Sequence, residues 1–435
     1  MLETGNWLVP YVGGKPFLRK PPLVNWAIAA SFYITGVRNE WTARLPTALA
    51  VLALGLTFVA LGGGWMKVET ALVAGLMAMT SFGLLAKARF AGAEIEGIYV
   101  ALTGIAMVTW MAWWTQRRSP WLMWTVPWIF LGLACLAKGP SLHLVFFYAL
   151  VLAVSWRAKA WRELAHPAHF VGIAICAAIF AAWFVPFHHT PEGAVAVQVW
   201  KHQGLDRFTD GDAVSGNYFL NLPRGLMDQL PWLIFAPAVF AASRRAPDRL
   251  AALVRGVFIA TTICFVVVLL VPGVLPRYVL PLAIPWCVLV AFALANRSRL
   301  VFIATAVLAG ASILYAVIAV PIINRHDDLR PAAAQIDAAI PPGKPLIIYD
   351  PGYCAEIFYL RAHYQYAVDF DDIPAAADFV LARGDARRKF AKRRPDLVVT
   401  RTFKIKHDGE LLLLQPHPAL PKDAPPEVQK PDAPQ

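Results

Sequence analysis

Lys20, Lys138, Arg207 and Arg277 stand close to the ends of apolar runs, and Glu94 and Glu96 stand in a similar position. Arg89, His202 and Tyr278 accompany them. A charge at mid-membrane costs on the order of 2.5–3.5 kcal/mol or more, so ionisable groups at that depth face a cavity or a partner. Gathered on one face, these groups would make a cationic cavity holding a few carboxylates. Such a cavity suits a phosphate. Lysine supplies a compact charge, and arginine a planar fork that takes two phosphate oxygens. It also suits transfer of a sugar from a lipid phosphate, because the leaving phosphate gains charge in the transition state and fixed cations stabilise it there. A neighbouring carboxylate can take the proton of an acceptor hydroxyl.

Each residue also has a plainer reading. Lys20 could anchor the chain at the membrane surface, and Lys138 could snorkel from the end of a span. Glu94 could pair with Lys87 or Arg89 at a helix end. Arg207 could pair with Asp206, Asp210 or Asp212 in a solvated loop. Arg277-Tyr278 serves equally as an interfacial anchor or as a contact to a phosphate or lipid head. His202 could bond a loop backbone as readily as a substrate. His188 and His189 are adjacent, do not share a helix face and have no evident third ligand, so no metal site is read. Trp110, Trp113, Trp114, Trp121, Trp124 and Trp128 read as interfacial belt and bundle packing.

The elements that must hold these groups are membrane spans. The chain has 435 residues, of which 58% are hydrophobic and 16% charged, and its mean hydropathy is +0.52. This balance excludes an ordinary soluble domain and fits a polytopic membrane protein. The net charge of +12 belongs largely to short loops between apolar runs, so it points to the membrane surface and not to nucleic acid. The five cysteines are dispersed and show no metal or redox spacing. No signal peptide is read in the sequence.

Apolar runs of near-spanning length lie at about 45–63, 70–86, 95–115, 121–137, 140–156, 168–187, 231–243, 254–271, 279–295 and 299–320, and a briefer one at 23–36 reads as a surface helix. Basic clusters at Arg117-Arg118, Arg157/Lys159/Arg162, Arg244/Arg245/Arg249 and Arg297/Arg299 are each separated from the next by two runs. They share one face, the cytoplasmic one. The first residues and the tail from about 325 are then expected outside. A start outside needs an earlier span, so a first transmembrane helix is expected ahead of this sequence. From about 325 the pattern turns to short strands and helices: strands at 344–350, 396–400 and 410–414, helices at 353–361 and 385–394. The last twenty residues carry seven prolines and read as disordered.

The motifs also resemble a family. Gly5-Asn6-Trp7-Leu8-Val9-Pro10, Gly14-Lys15-Pro16-Phe17, Lys20-Pro21-Pro22-Leu23 and Ala43-Arg44-Leu45-Pro46 are similar to the first outer loop of polyprenyl-phosphate-sugar-dependent GT-C glycosyltransferases. That family includes protein O-mannosyltransferases and the bacterial lipid A aminoarabinose transferase. Ala88-Arg89-Phe90-Ala91 with Glu94, Ala137-Lys138-Gly139-Pro140, His202 with Arg207-Phe208, Leu230-Pro231-Trp232 and Pro276-Arg277-Tyr278-Val279-Leu280-Pro281 fit as well, so the resemblance runs over about residues 1–320. It implies an inverting transfer from an undecaprenyl-type phosphate sugar at the periplasmic face of the bacterial inner membrane. Lys20 and Arg207 would hold the donor phosphate with Arg277, and Glu94 would stand where the family has an aspartate near the acceptor. Arg89, Lys138, His202 and Tyr278 would support them. The family's acidic pair ahead of the Gly-Asn-Trp segment is not in this sequence, and Arg19 stands where lipid A transferases tend to have an acid.

The expected architecture is a mainly α, GT-C-type membrane bundle of about 10–11 spans with a small C-terminal α/β outer domain. Its divisions are 1–44 (partial first outer loop), 45–322 (bundle), 323–415 (α/β domain) and 416–435 (Pro-rich tail). The expected partners are a polyprenyl-phosphate sugar donor, membrane lipids, and a lipid A, glycan, lipid or protein acceptor. No cofactor is implied, and a need for divalent metal stays open. Two other readings remain: a transporter or lipid flippase, and a non-catalytic remnant of the transferase. Against the transporter stand the lack of an internal repeat and the clustering of ionisable groups on one face.

Overall fold

The computed structural model describes residues 1–2, 4–85, 95–201, 220–245, 248–271, 274–295, 298–319, 322, 328–405 and 409–417. The chain divides into two compact units: Met1–Pro10 with Phe17–Ile323, and Tyr11–Pro16 with Asn324–Gln435.

The first unit is helical. Its helices are α1 (Leu23–Thr35), α2 (Glu40–Gly62), α3 (Val68–Met79), α4 (Ile95–Thr115), α5 (Pro120–Lys138), α6 (Leu142–Ala158), α7 (Pro167–His188), α8 (Pro191–Lys201), α9 (Asn221–Asp228), α10 (Ala236–Arg245), α11 (Asp248–Leu269), α12 (Ala283–Ala293) and α13 (Ser298–Leu314). Among the described residues each of the ten long apolar runs is mostly helical, but fewer than the expected 10–11 reach spanning length. Among the described residues six helices are long and apolar enough to cross a membrane, or seven when the pair Asn221–Asp228 and Trp232–Ala242, bent by 89°, is taken as one span. Leu23–Thr35, Val68–Met79, Leu142–Ala158 and Val301–Ala311 are apolar but shorter.

Local chemistry sets the helix ends. The Asn39 side chain accepts from the Thr42 backbone N–H, while the Thr42 hydroxyl accepts from the Asn39 N–H, a reciprocal cap that starts α2. Prolines open α5 and α7, where a missing N–H does no harm. Gly139, at φ +88°, ends α5, and Pro140 prevents its continuation. Tight packing follows from small residues. A Cβ on Gly256 of α11 would lie 2.6 Å from Val154 Cα of α6, and a Cβ on Gly172 of α7 would collide with the Trp124 carbonyl and Trp128 ring of α5. In a membrane such close approaches let dispersion hold helices together where no hydrophobic force acts between them. Helix α4 is the central post: it packs on α2 and α5, and almost all of it is buried. Trp110, Trp114, Trp124 and Trp128 are buried against neighbouring rings, whereas Trp121 is exposed.

The second unit holds a mixed sheet of β3 (Leu346–Tyr349), β4 (Tyr364–Ala367), β5 (Val380–Arg383), β6 (Leu397–Ile405) and β7 (Gly409–Pro416), in the order β4-β3-β5-β7-β6. Strands β4, β3 and β5 run parallel, and β7 pairs antiparallel with β5 and β6. The uniformly buried strands β3 and Leu411–Leu414 reflect a sheet covered on both faces. Ile347, Tyr349, Phe370 and Phe390 fill one face; Ile336, Leu346, Ile348, Phe379 and Leu413 fill the other. Helix α14 (Arg330–Ala338) supplies Ile336, and α15 (Arg387–Arg393) supplies Phe390. Strands β4 and β5 and helix α14 were not expected from the sequence. Tyr364–Ala367 is only four residues with little apolar periodicity, so its pairing partner defines it. A two-stranded hairpin, β1 (Tyr11–Val12) with β2 (Lys15–Pro16), also belongs to this unit.

Candidate functional site

Three helix ends of the first unit meet at one carboxylate. Glu96 lies in the first turn of α4, and Lys138 is the last residue of α5. Each suits its place, since helix starts favour negative and helix ends positive charge. Lys138 Nζ lies 3.5 Å from Glu96 Oε1, and Arg277 Nε lies 3.4 Å from the same oxygen. The side chains of Lys138 and Glu96 are 8% and 10% exposed, but that of Arg277 is 42% exposed. The carboxylate is thus a buried counter-ion to two cations, and the outer part of the Arg277 guanidinium reaches the surface.

Tyrosine faces complete the enclosure of Lys138. Its ammonium sits 4.7 Å from the ring centre of Tyr99 and 4.7 Å from that of Tyr278. Such contacts contribute about 0.5–2 kcal/mol each when desolvated. Tyr99 stands one turn after Glu96 on α4. Tyr278 follows Arg277 in the short helical turn Pro276–Leu282, which leads into α12 and packs on α4 and α6. Beneath the charges lies a buried polar chain. The Tyr99 hydroxyl is 3.4 Å from Ser141 Oγ, which is 3.2 Å from His143 Nδ1; His143 Nε2 in turn is 3.4 Å from Cys135 Sγ. The Tyr99 and His143 rings meet edge to face at 5.3 Å.

Lys20 comes from the first loop, just before α1, which packs against α5. It is close enough to act electrostatically on Lys138. Indoles fix the approach to it. Trp183 Nε1 donates to the Leu8 carbonyl at 3.0 Å, Trp200 Nε1 to the Leu18 carbonyl at 2.7 Å, and Trp26 Nε1 to the Trp7 carbonyl at 2.8 Å. Lys138 and Arg277 thus meet the Glu96 carboxylate, and Lys20 adds a third cation within electrostatic range of Lys138.

Of the residues singled out in the sequence, the structure brings together Lys138, Arg277 and Tyr278, with Lys20 in electrostatic range. Glu94, Arg89, His202 and Arg207 lie outside the described residues. Glu96 was named among the charges beside the apolar runs but given no role of its own, and Tyr99, Ser141 and His143 were not singled out. An acidic residue entering a long apolar run was the available signal for Glu96, and Tyr99 shares its helix face by the three-residue spacing. Nothing local marks Ser141 or His143. Among the described residues no three His, Cys, Asp or Glu side chains converge as metal ligands.

A similar fold occurs in solved structures. ArnT from Cupriavidus metallidurans bound to undecaprenyl phosphate aligns over 95% of this chain and 91% of that one, with a TM-score of 0.69 at 17% identity. The same protein in its apo state gives 0.65 at 16% identity. The family model described as dolichyl-phosphate-mannose-protein mannosyltransferase matches residues 19–185. An undecaprenyl phosphate-alpha-4-amino-4-deoxy-L-arabinose arabinosyl transferase 2 of Pseudomonas fluorescens (strain Pf0-1) is 26% identical over 309 residues, covering 69% of this chain and 54% of that protein. A transferase of the same description from Pseudomonas aeruginosa (strain UCBPP-PA14) is likewise 26% identical over 309 residues. The chain spans about half the length of these curated relatives. It is related to the polyprenyl-phosphate-sugar-dependent GT-C glycosyltransferases and shares the fold of ArnT.

Proposed function

We propose that the protein is an integral membrane glycosyltransferase that takes a sugar from an undecaprenyl-type lipid phosphate and transfers it, with inversion, to an acceptor at the periplasmic face of the inner membrane. The acceptor classes in view are lipid A, an envelope glycan, a lipid or a protein hydroxyl. The observation that carries this is the meeting of Lys138 and Arg277 at the buried Glu96 carboxylate, with Lys20 in electrostatic range of Lys138. The similarity to transferases whose names specify an undecaprenyl phosphate donor supports the same class of donor.

The roles follow from charge and exposure. Arg277, half out of the cluster, offers its fork to the donor phosphate together with Lys20. As the sugar–phosphate bond breaks, the phosphate oxygens gain charge, and these fixed cations stabilise it without reorganising. Lys138 is enclosed by Glu96, Tyr99 and Tyr278, so it contributes field more than contact. Glu96 is already neutralised by two cations and serves to aim them. The carboxylate that takes the acceptor proton is then assigned to Glu94, with Arg207 as a further phosphate contact and Arg89 and His202 supporting; these assignments rest on the motif resemblance.

The test is transfer of a labelled sugar from undecaprenyl phosphate in membranes containing the full chain, over a range of donor sugars. Lys20→Ala and Arg277→Ala at unchanged expression are expected to lower transfer about 100-fold or more, the scale of losing one fixed charge-stabilising group. Wild-type-like transfer by both variants would overturn the assignment.

A further inference from the structure

The sheet of the C-terminal unit reverses its winding beside β3. From β3 the chain passes to β4 on one side, and from β4 it returns to β5 on the other. The three strands run parallel, so β3 and β5 present neighbouring carboxyl ends. The connections that leave those two ends diverge. After β3 the chain enters the helical turn Ala355–Tyr359, whose Ile357 packs with Ile348 and Leu381 on one face of the sheet. After β5 it enters α15, whose Phe390 packs with Tyr349 and Val380 on the other face. Two connections parting to opposite faces leave a crevice between them. In open α/β sheets such a switch point is where ligands bind.

A cavity of about 560 Å³ opens there, lined by Tyr353, Ala355 and Glu356 after β3, Arg383 and Asp385 at the end of β5, and Glu410 at the start of β7. Its size is that of a small-ligand site, and all of these residues belong to the one unit. The backbone beside it is unusual. Asp350 follows β3 at φ +36°, which is uncommon for a residue other than glycine and holds only where the surroundings impose it. Gly352 comes next but one at φ +58°, and a Cβ on it would lie 3.0 Å from Arg383 Nη1, so the missing side chain gives the guanidinium its room. Arg383 lies 3.6 Å from Asp385, and both side chains are exposed. Glu410 sits against Gly384, which brings its carboxylate to the end of β5. Glu356 is buried at the floor, where it accepts from the Cys354 thiol at 3.1 Å. Tyr353 is 70% exposed at the rim. The lining therefore offers carboxylates that only accept, a guanidinium that only donates, and a free aromatic face. An anion would meet three carboxylates, and an acyl chain would strand the charges. A sugar ring satisfies them all: its hydroxyls donate to carboxylates and accept from arginine, while its C–H face covers the tyrosine. We propose that this crevice is a carbohydrate-binding site of the C-terminal domain, with Asp385, Glu410 and Arg383 as hydroxyl partners and Tyr353 as the platform for an uncharged sugar ring. It is separate from the cluster around Glu96 and does not depend on the reading of that cluster.

The experiment is saturation-transfer NMR on the purified full chain in nanodiscs, titrated with the methyl glycosides of glucose, galactose and mannose, with glucuronic acid and with spermidine. At least one methyl glycoside is expected to bind, glucuronic acid to bind more weakly, and spermidine not to displace the glycoside. Asp385→Asn and Arg383→Gln are each expected to weaken glycoside binding about tenfold, the scale of losing a hydrogen bond to a charged group. Tyr353→Ala is expected to weaken it several-fold, and Ala355→Trp, which fills the crevice from an exposed position, to abolish it. These four changes lie at partly or fully exposed sites, and unchanged melting temperatures would show that the fold is kept. Lys20→Ala and Arg277→Ala are expected to bind the glycoside like wild type. Binding of none of the three glycosides overturns the inference. Displacement by spermidine overturns it too, because charge alone would then account for the site. If Lys20→Ala or Arg277→Ala loses the glycoside while the crevice variants keep it, the sugar sits at the Glu96 cluster and the inference falls. Loss of sugar transfer in Lys20→Ala and Arg277→Ala tests the donor site separately, so either reading can fail without the other.

Discussion

Glu96 sets the chemistry at the scale of single residues. One buried oxygen meets Lys138 and Arg277 at 3.5 and 3.4 Å. Removing one partner of a buried ion group leaves the others uncompensated, which costs about 3–5 kcal/mol. Glu96→Gln is therefore expected to lower thermal stability sharply in detergent or nanodiscs. Lys138→Met added to it removes one of the two unpaired charges at similar volume and is expected to recover part of the loss. A Glu96→Gln protein as stable as wild type would show that the carboxylate is not the counter-ion of the cluster. Sequence alone placed Lys138, Arg277 and Tyr278 beside span ends, because charge next to an apolar run is visible in one dimension. It did not select Glu96 over its neighbours in the same loop, because that choice depends on which face of α4 meets α5 and the turn before α12.

At the scale of elements, helix ends do the positioning. Lys138 points into the cluster because α5 stops there, at a Gly139 with φ +88° and ψ 163°. A Cβ on Gly139 would meet no neighbour within 4 Å, so Gly139→Ala tests backbone conformation alone. That conformation is close to glycine-only and its strain is of order 1–3 kcal/mol. The variant is expected to fold and to lose transfer activity through displacement of Lys138; unchanged activity would count against the helix end as the positioning device. Gly256→Val tests packing instead. With Val154 Cα only 2.6 Å from the first added carbon, α11 and α6 must separate, and the overpacking cost of about 1–3 kcal/mol should appear as lower yield of monodisperse protein in size-exclusion chromatography. The short strand β4 shows the converse for sequence reading: its four residues acquire a structure from the parallel pairing with β3, a non-local partner that no window of sequence contains.

At the scale of the whole molecule, the two units answer to different solvents. The helical bundle depends on dispersion and satisfied backbone groups in lipid, whereas the α/β domain depends on hydrophobic burial and aqueous electrostatics. One pair gives the second unit an expected local acid dependence. Arg394 makes a two-pronged contact to Asp396, at 2.9 and 2.8 Å, and also donates to the Pro374 and Ala375 carbonyls. The guanidinium holds the Asp396 carboxyl below its ordinary value. A carboxyl lowered in the folded state stabilises above its unfolded pKa, about 3.9, and that contribution is lost as pH falls through the lowered value. Hydrogen exchange in residues 374–397 is expected to rise on acidification below about pH 4 in wild type, and Asp396→Asn should abolish this pair's share of the pH dependence while raising exchange at neutral pH. An identical acid profile in the variant would remove the pair from the account.

What the sequence determined by itself is a mainly helical membrane bundle, the presence of a C-terminal α/β domain and the ionisable residues beside the apolar runs. Hydropathy and turn chemistry act within a few residues, so one dimension carries them. The tertiary structure decided which of those residues meet: that Glu96 is the shared counter-ion, that Tyr99 and Tyr278 enclose Lys138, and that the Tyr11–Pro16 hairpin joins a domain more than three hundred residues downstream, with Lys15 and Asp350 335 positions apart. Those contacts arise from helix rotation and chain return, which are set by packing across the whole molecule and leave no periodic trace in the order of residues.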